Sequence, residues 1–249
     1  MKKIAIAVAA FAALSLTLHA GVVSSFADIQ IWAGDGSGAA NKAGMVIQWN
    51  VGTNHYSRAW GYGWNSGTRT GWDMITAIDV ADVQLTIVPN AGSVFGVFFD
   101  LDADGGNFSP GTPGVYGVTS DAAGSTTDAD DVYQSGWVSA GFWEYSVYGG
   151  SFSYDVYDMS PPYDYLGSFT YNSAGSYNYS AVTWFSSPIG SGARELIDGA
   201  WDAYSFAPFF APESVLQPLA AAVPEPSPAL LVFLSIGLLY YARRRLYAC

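Results

Sequence analysis

The residues best suited to chemistry are acidic and lie together in the segment 100–106. Its sequence is Asp-Leu-Asp-Ala-Asp-Gly-Gly, so Asp100, Asp102 and Asp104 alternate with apolar residues and precede two glycines. Alternate carboxylates in an extended loop project to one side, and Ca²⁺ takes roughly six to eight oxygen ligands. Three such charges without a cation would repel one another. The spacing predicts a calcium loop, and the alternative interpretation is a solvated acidic loop.

The first half of this loop resembles that of an EF-hand, but the second half departs from it. The twelfth position counted from Asp100 is Gly111, where an EF-hand places a bidentate glutamate, and no pair of helices is expected to flank it. The pattern therefore disfavours an EF-hand. The remaining ligands must come from a distant segment, and we predict them in the acidic run formed by Asp128, Asp130 and Asp131.

A second candidate site is aromatic. The segment Trp60-Gly61-Tyr62-Gly63-Trp64 places its three rings on one face of a strand, because side chains alternate between faces with a period of two. The rings are either core residues or a flat platform for a sugar. We retain Trp60, Tyr62 and Trp64 as the candidate sugar platform, which would make the protein a carbohydrate-binding module.

Composition excludes or disfavours several classes of site. Between Asp28 and Ala222 there are 20 acidic and 4 basic residues, a net charge of −16, which disfavours nucleic acid as a partner. This span has no cysteine and only one histidine, His55, so most zinc sites are excluded and a catalytic triad would depend on that residue. Glycine-rich phosphate loops are missing. We expect a non-enzymatic protein; the alternative is a glycoside hydrolase whose carboxylates, Glu144 and Glu195, would stand about 5–10 Å apart.

The N-terminal segment has the pattern of a secretory signal. Two lysines precede an apolar run that ends at Leu18, which predicts a signal peptide over residues 1–27 and export by the Sec machinery. Cleavage is plausible after Ala20 or after Ala27. We prefer Ala27, because small residues then occupy both the −3 and the −1 positions.

The C-terminal segment 223–249 contains three elements in order. They are Pro224, Glu225 and Pro226, then an apolar stretch over 229–242, and then Arg243, Arg244 and Arg245. This order resembles the PEP-CTERM sorting tail of Gram-negative bacteria that produce exopolysaccharide. The resemblance implies recognition by an exosortase, a transmembrane helix over 229–242 and exopolysaccharide as a further partner. Because arginines resist translocation, it also implies a membrane-anchored precursor with its middle domain at the cell envelope or in the extracellular matrix.

The span 28–207 is predicted to be one exported domain, followed by a linker over 208–222. A helix should begin at Thr70 or Gly71, with Thr70 as its cap, and run to about Val80. Alternating segments predict strands at 29–32, 45–49, 59–64, 83–88, 94–99, 141–148, 151–157, 166–171, 180–185 and 200–206. The fold class is therefore α+β, mainly antiparallel β with one amphipathic helix, and the order strand, strand, helix, strand suggests a β-grasp-like unit.

Several blocks of this span resemble an uncharacterised domain of exported bacterial proteins. The early blocks cover 47–50, 60–64 and 71–78, and the later ones include 128–133 and 198–202. The resemblance carries no known activity. It implies an exported location and a β-rich architecture.

Overall fold

The computed structural model describes the middle part of the chain, from Gly21 to Ala221, with short gaps. The described residues are 21–90, 93–114, 119–122, 124–137, 141–157, 164–208 and 214–221, and they belong to a unit bounded by Ala20 and Ala222. The apolar run of the predicted signal peptide and the predicted sorting tail, including the helix at 229–242, lie outside them. None of the helices in the described ranges is long and apolar enough to cross a membrane.

The unit is rich in β-structure, and one α-helix is described. The strands are β1 (Trp32–Gly34), β2 (Asn41–Val51), β3 (Asn54–Trp64), β4 (Leu85–Asn90), β5 (Ser93–Phe99), β6 (Phe108–Ser109), β7 (Ser125–Thr126), β8 (Val132–Ser135), β9 (Gly141–Tyr148), β10 (Gly150–Tyr157), β11 (Tyr165–Ser173), β12 (Phe185–Ser186), β13 (Ala200–Pro208) and β14 (Leu219–Ala220). The helix α1 is Gly71–Ala81, and two short 3₁₀ helices cover Phe26–Asp28 and Tyr179–Ala181.

Seven strands form a mixed main sheet. Its order is β1-β3-β2-β13-β9-β12, and β14 also pairs with β3. Strands β2 and β3 form a long antiparallel hairpin, whereas β13 is parallel to β2 and antiparallel to β9. A mainly β fold with one helix is therefore confirmed.

The β-grasp-like unit stays a prediction, and the structure gives the strand pairing on which it depends. The β2–β3 hairpin precedes α1, β13 is parallel to β2, and β9 is antiparallel to β13. The strands β4, β5 and β8, which lie between α1 and β9 in sequence, form a separate three-stranded sheet of order β4-β5-β8. The local order of elements did not reveal this additional sheet, because pairing between distant strands decides it.

Helix α1 begins where its cap predicts. The Thr70 hydroxyl accepts a hydrogen bond from the backbone N–H of Asp73 at 3.1 Å, and the Asp73 carboxylate accepts one from the Thr70 N–H at 2.8 Å. This reciprocal pair satisfies two N–H groups that the first turn leaves free. Met74, Ile75 and Ile78 form the buried stripe of the helix and pack into the main core.

The main sheet is covered on both faces. On one face, Met45 and Ile47 of β2 pack with α1 and the three-stranded sheet. On the other face, the intervening residue Val46 packs with residues from both ends of the unit, including Phe26 and Ala220. Each strand of the hairpin is therefore buried on two sides, and its apolar run is nearly continuous.

Both ends of the unit differ from the prediction. The strand predicted at 29–32 is shifted to Trp32–Gly34, and the strand predicted at 180–185 is a 3₁₀ helix followed by the two-residue β12. The predicted linker 208–222 contributes β14, which pairs with β3. Small apolar residues at 219–221 make this possible, because they fit against the sheet without a long strand.

Candidate functional site

The candidate site is acidic and is assembled by the pairing of β5 with β8. Phe99, the last residue of β5, stands opposite Val132, the first residue of β8. Asp100 follows the first of these and Asp131 precedes the second, so the antiparallel register brings together two carboxylates that are 31 positions apart in sequence. The exposed Asp102 completes the group. One carboxylate oxygen of each of the three residues lies within 4.8 Å of the other two.

Asp100 holds the loop that follows it. Its side chain is 5% exposed; one oxygen accepts the N–H of Ala103 at 2.6 Å, and the other accepts those of Gly105 at 2.9 Å and Gly106 at 3.3 Å. Ala103 has a φ of 61° and Gly105 one of 95°. Ala103 therefore adopts the left-handed conformation, which usually favours glycine. This conformation lets the loop wrap around the Asp100 carboxylate.

Asp131 is the least satisfied member of the group. Its Oδ1 accepts the backbone N–H of Leu101 at 3.1 Å. Its Oδ2 is buried and has no hydrogen-bond partner among the described residues, although the residue is only 8% exposed. A Cβ at Gly106 would overlap this oxygen, so a larger residue there would displace the Asp131 carboxylate. A buried carboxylate oxygen without a partner is costly unless something outside the chain completes it.

The three oxygens fit a hard cation. Each Ca–O distance is about 2.3–2.6 Å, so two ligands of one calcium ion can stand up to about 5.2 Å apart. The three oxygens lie within 4.8 Å of one another, which lets one cation contact all three. Carboxylate oxygens alone favour Ca²⁺ over softer metals. Backbone carbonyls and water would supply the other positions.

The electrostatics of the site favour a cation. The pKa of Asp131 is raised to about 6, mainly by burial; the neighbouring charges of Asp100, Asp128 and Asp102 act in the same direction, and the hydrogen bond from the Leu101 N–H opposes them. The ion pair found within the described ranges joins Arg194 to Asp202 and includes none of these groups. Each charged neighbour that shifts Asp131 is another acid, so a metal ion would relieve both burial and repulsion.

The structure brings together only part of the predicted calcium ligands. Asp104 lies outside the triad and contributes a backbone N–H to Asp102 at 3.2 Å. In the distant acidic run, Asp131 is brought into the site, whereas Asp128 and Asp130 hydrogen-bond to each other, which is the first cause of the raised pKa of Asp128. The local spacing could not separate these three carboxylates.

The predicted sugar platform is a core element. Trp60 is 0% exposed, and Tyr62 and Trp64 are each 5% exposed, so these rings cannot face a sugar. Trp60 donates its indole N–H to the buried Asp82 at 2.7 Å. Glycines 61 and 63, which alternate with these rings, mark the opposite face of β3 as the one that other groups approach closely.

The two glutamates proposed for glycoside hydrolysis have different surroundings. Glu144 lies on β9 between Trp143 and Tyr145, which face the core that contains α1, so its own side chain points to the other face of the sheet. Glu195 forms a bridge with Thr70 at the start of α1, on the helix side. The arrangement does not present them as a facing pair.

A second buried acid has a charged partner within the chain, although its Oδ1 makes no hydrogen bond among the described residues. Asp202 is 0% exposed, accepts the Tyr145 hydroxyl, and lies 3.4 Å from the guanidinium Nε of Arg194, measured at Oδ1. Arg194 also donates to the carbonyls of Glu195, at 2.7 Å, and of Gly149. Burial raises the pKa of Asp202, while the charge of Arg194 opposes this shift. This is a structural network.

A cleft on the face opposite α1 was not predicted. Its volume is about 430 Å³, and its walls include Phe26, Trp32, Tyr177 and Lys42. The Trp32 ring covers Gly61, where a side chain would collide with it. The alternation of glycine with aromatic residues in β3 was the signal for this close approach.

Comparison with protein-family models, with curated proteins and with solved structures finds no match to this chain.

Proposed function

We propose that this protein is an exported, non-enzymatic component of the cell envelope or extracellular matrix, and that its β-rich unit binds calcium. The observation that carries the calcium site is the convergence of Asp100, Asp102 and Asp131 around the unpartnered, buried Oδ2 of Asp131. A cation at this point would tie the loop after β5 to the beginning of β8. The site would stabilise the fold and not perform a reaction.

Export of the protein would support a structural role that depends on calcium. We take the segment that begins with Lys2 and Lys3 as a Sec signal. We take the Pro-Glu-Pro, apolar and arginine elements of 223–249 as a tail that an exosortase recognises in a membrane-anchored precursor. The Ca²⁺ sites of extracellular modules are weak, with Kd values of about 10⁻⁴–10⁻³ M. Three protein carboxylates without a bidentate glutamate suit this weak class, and such a site is filled only where calcium is plentiful.

The packing of the N-terminal segment favours signal cleavage after Ala20. Val23 is 0% exposed and Phe26 is 6% exposed within the core on the second face, and the Val23 N–H donates to the Pro218 carbonyl at 2.9 Å. Cleavage after Ala27 would remove these groups. The N-terminal sequence of the exported protein tests this choice: a start at Gly21 supports it, and a start at Asp28 contradicts it.

The calcium site is tested by thermal unfolding of the full-length chain in detergent, in EDTA and in calcium. At a hundredfold excess over Kd, calcium should add about 2.7 kcal/mol, which raises the Tm by about 5–10 °C for a unit of this size. Asp131→Asn should abolish the shift. Asp104→Asn, which changes a neighbouring carboxylate outside the triad, should keep it. Equal melting in EDTA and calcium for the parent protein would reject the site.

A further inference from the structure

The cleft lined by Phe26, Trp32, Tyr177 and Lys42 has the composition of a ligand site. Its volume of about 430 Å³ falls within the roughly 300–1,000 Å³ that small-molecule sites occupy. It lies on the second face of the main sheet, away from the acidic triad. We propose that it binds a carboxylate-bearing sugar unit, such as a uronic acid residue of a polysaccharide.

The rings of the cleft are held in place before any ligand arrives. Tyr177 is 42% exposed, yet its hydroxyl donates to the Asp198 carboxylate, with both oxygens at 2.7 Å, and its ring stacks on Phe26 with centroids 5.0 Å apart. Trp32 donates its indole N–H to the Ile29 carbonyl at 3.1 Å. A ligand would therefore lose little free energy in ordering these side chains.

The surface of the cleft is mixed in the way that a sugar requires. Aromatic rings offer flat apolar area for the C–H face of a pyranose. Gln30 and Ser37, which also line the cleft, carry side-chain donors and acceptors for hydroxyl groups. Polar and apolar atoms contribute about equally to the exposed lining of the cleft, and convergent polar groups fix the orientation of a small ligand.

Lys42 is the cation that lines the cleft, and the Asp198 carboxylate, which accepts the Tyr177 hydroxyl and the Lys42 backbone N–H, lies next to it. The Lys42 ammonium lies 5.9 Å from the centroid of the Tyr177 ring, within the range of a cation–π contact. The ion pair of the described residues joins Arg194 to Asp202, so Lys42 forms none there. Across a span with a net charge of −16, an anion is repelled unless a cation meets it. The lysine gives a carboxylate that partner.

This inference rests on the proposed exported function, because export is what would bring the cleft into contact with polysaccharide. The probe is trigalacturonate, and its methyl ester is the matched uncharged ligand. Both are titrated calorimetrically into the full-length chain in detergent, with the calcium concentration equal in both solutions. We expect the acid to bind at least about tenfold more tightly than the ester, since an added charge-assisted contact contributes about 1.5 kcal/mol or more.

Two variants locate the site, and each has a matched control. Lys42→Gln should weaken trigalacturonate binding about tenfold and bring its affinity close to that of the ester. Tyr177→Ala should weaken binding of both ligands. Arg69→Gln removes one positive charge elsewhere, and Tyr165→Ala removes a ring that is 55% exposed on β11; both should bind like the parent.

Three results would overturn the inference. They are no binding of trigalacturonate to the parent, equal affinity for the acid and the ester, and affinities that Lys42→Gln and Tyr177→Ala leave unchanged. The calcium-dependent melting shift is measured on the same samples. If the shift is present and sugar binding is absent, the cleft assignment fails while the calcium proposal stands; if only the shift is absent, the calcium proposal fails and the cleft assignment stands.

Discussion

Two buried acids in this unit differ in where their countercharge comes from. Asp202 is 0% exposed and lies 3.4 Å from the Arg194 guanidinium, so the chain supplies its partner. Asp131 is 8% exposed, and the charged groups that shift its pKa are other aspartates. Each acid has one buried oxygen without a hydrogen bond among the described residues, but only the first has a countercharge within the fold. The Asp131 site gains a countercharge only if a cation binds from solution. For this reason we regard it as the functional site.

The largest expected effect comes from making the first site resemble the second. Arg194→Met leaves Asp202 buried without a cation and should lower the free energy of unfolding by about 3–5 kcal/mol. Urea denaturation of the full-length chain measures the loss. Adding Asp202→Asn to the same protein should recover part of it, because the uncompensated charge is then gone. A single variant as stable as the parent would show that the pair is not needed.

The reverse change at the second site should have the opposite sign without calcium. In EDTA, Asp131→Asn removes a buried charge next to Asp100 and Asp102 and should raise the free energy of unfolding by about 1 kcal/mol. In saturating calcium the same variant should be less stable than the parent, because it has lost a ligand. Chemical denaturation in EDTA and in calcium tests whether the effect of Asp131→Asn on stability changes sign. A variant less stable than the parent in EDTA would contradict the prediction.

A pH series separates the contribution of Asp131 from those of other acids. Its folded pKa of about 6 lies above the ordinary value of 3.8 for an aspartate, so the folded state binds a proton more tightly than the unfolded state. Stability in EDTA should therefore rise as pH falls from 7 to 5, by about 1 kcal/mol from this group. The difference in the free energy of unfolding between the parent and Asp131→Asn isolates the contribution of this group. A difference that does not change with pH would exclude that contribution.

The smallest effect is expected at Asp104. This residue belongs to the alternating acidic pattern but lies outside the triad. Asp104→Asn should therefore change the free energy of unfolding by no more than about 0.5 kcal/mol in EDTA or in calcium. If Asp104→Asn reduced the stabilisation by calcium as strongly as Asp131→Asn does, the loop alone would hold the ion. A residue other than Asp131 would then have to be compared with Asp202.

The features that sequence predicted are those that depend on nearby residues. The cap of α1 needs only Thr70 and Asp73, three positions apart. The position of the acidic loop needs only residues 100–106, whose spacing marks it. Both are set by local hydrogen bonds, so their spacing carries the information.

The features that sequence missed depend on pairing between distant strands. Asp131 was one of three equivalent candidates until the register of Phe99 with Val132 selected it. Trp60 and its neighbours have the same alternation whether they form a core or a platform, and burial on both faces of the sheet decided the outcome. The cleft around Trp32 required the first and the last parts of the unit to meet on one face, which no local pattern reports.

The meeting of the two ends has a consequence for how the protein is made. Val22 forms a bridge with Leu219, and the Ala220 N–H donates to the Gly21 carbonyl at 2.9 Å. This edge of the sheet therefore cannot form until both the first and the last residues of the unit are present. During synthesis, this edge of the sheet cannot close until residue 220 has emerged from the ribosome. The closing step joins segments that are almost 200 positions apart and should be late and slow compared with formation of the β2–β3 hairpin.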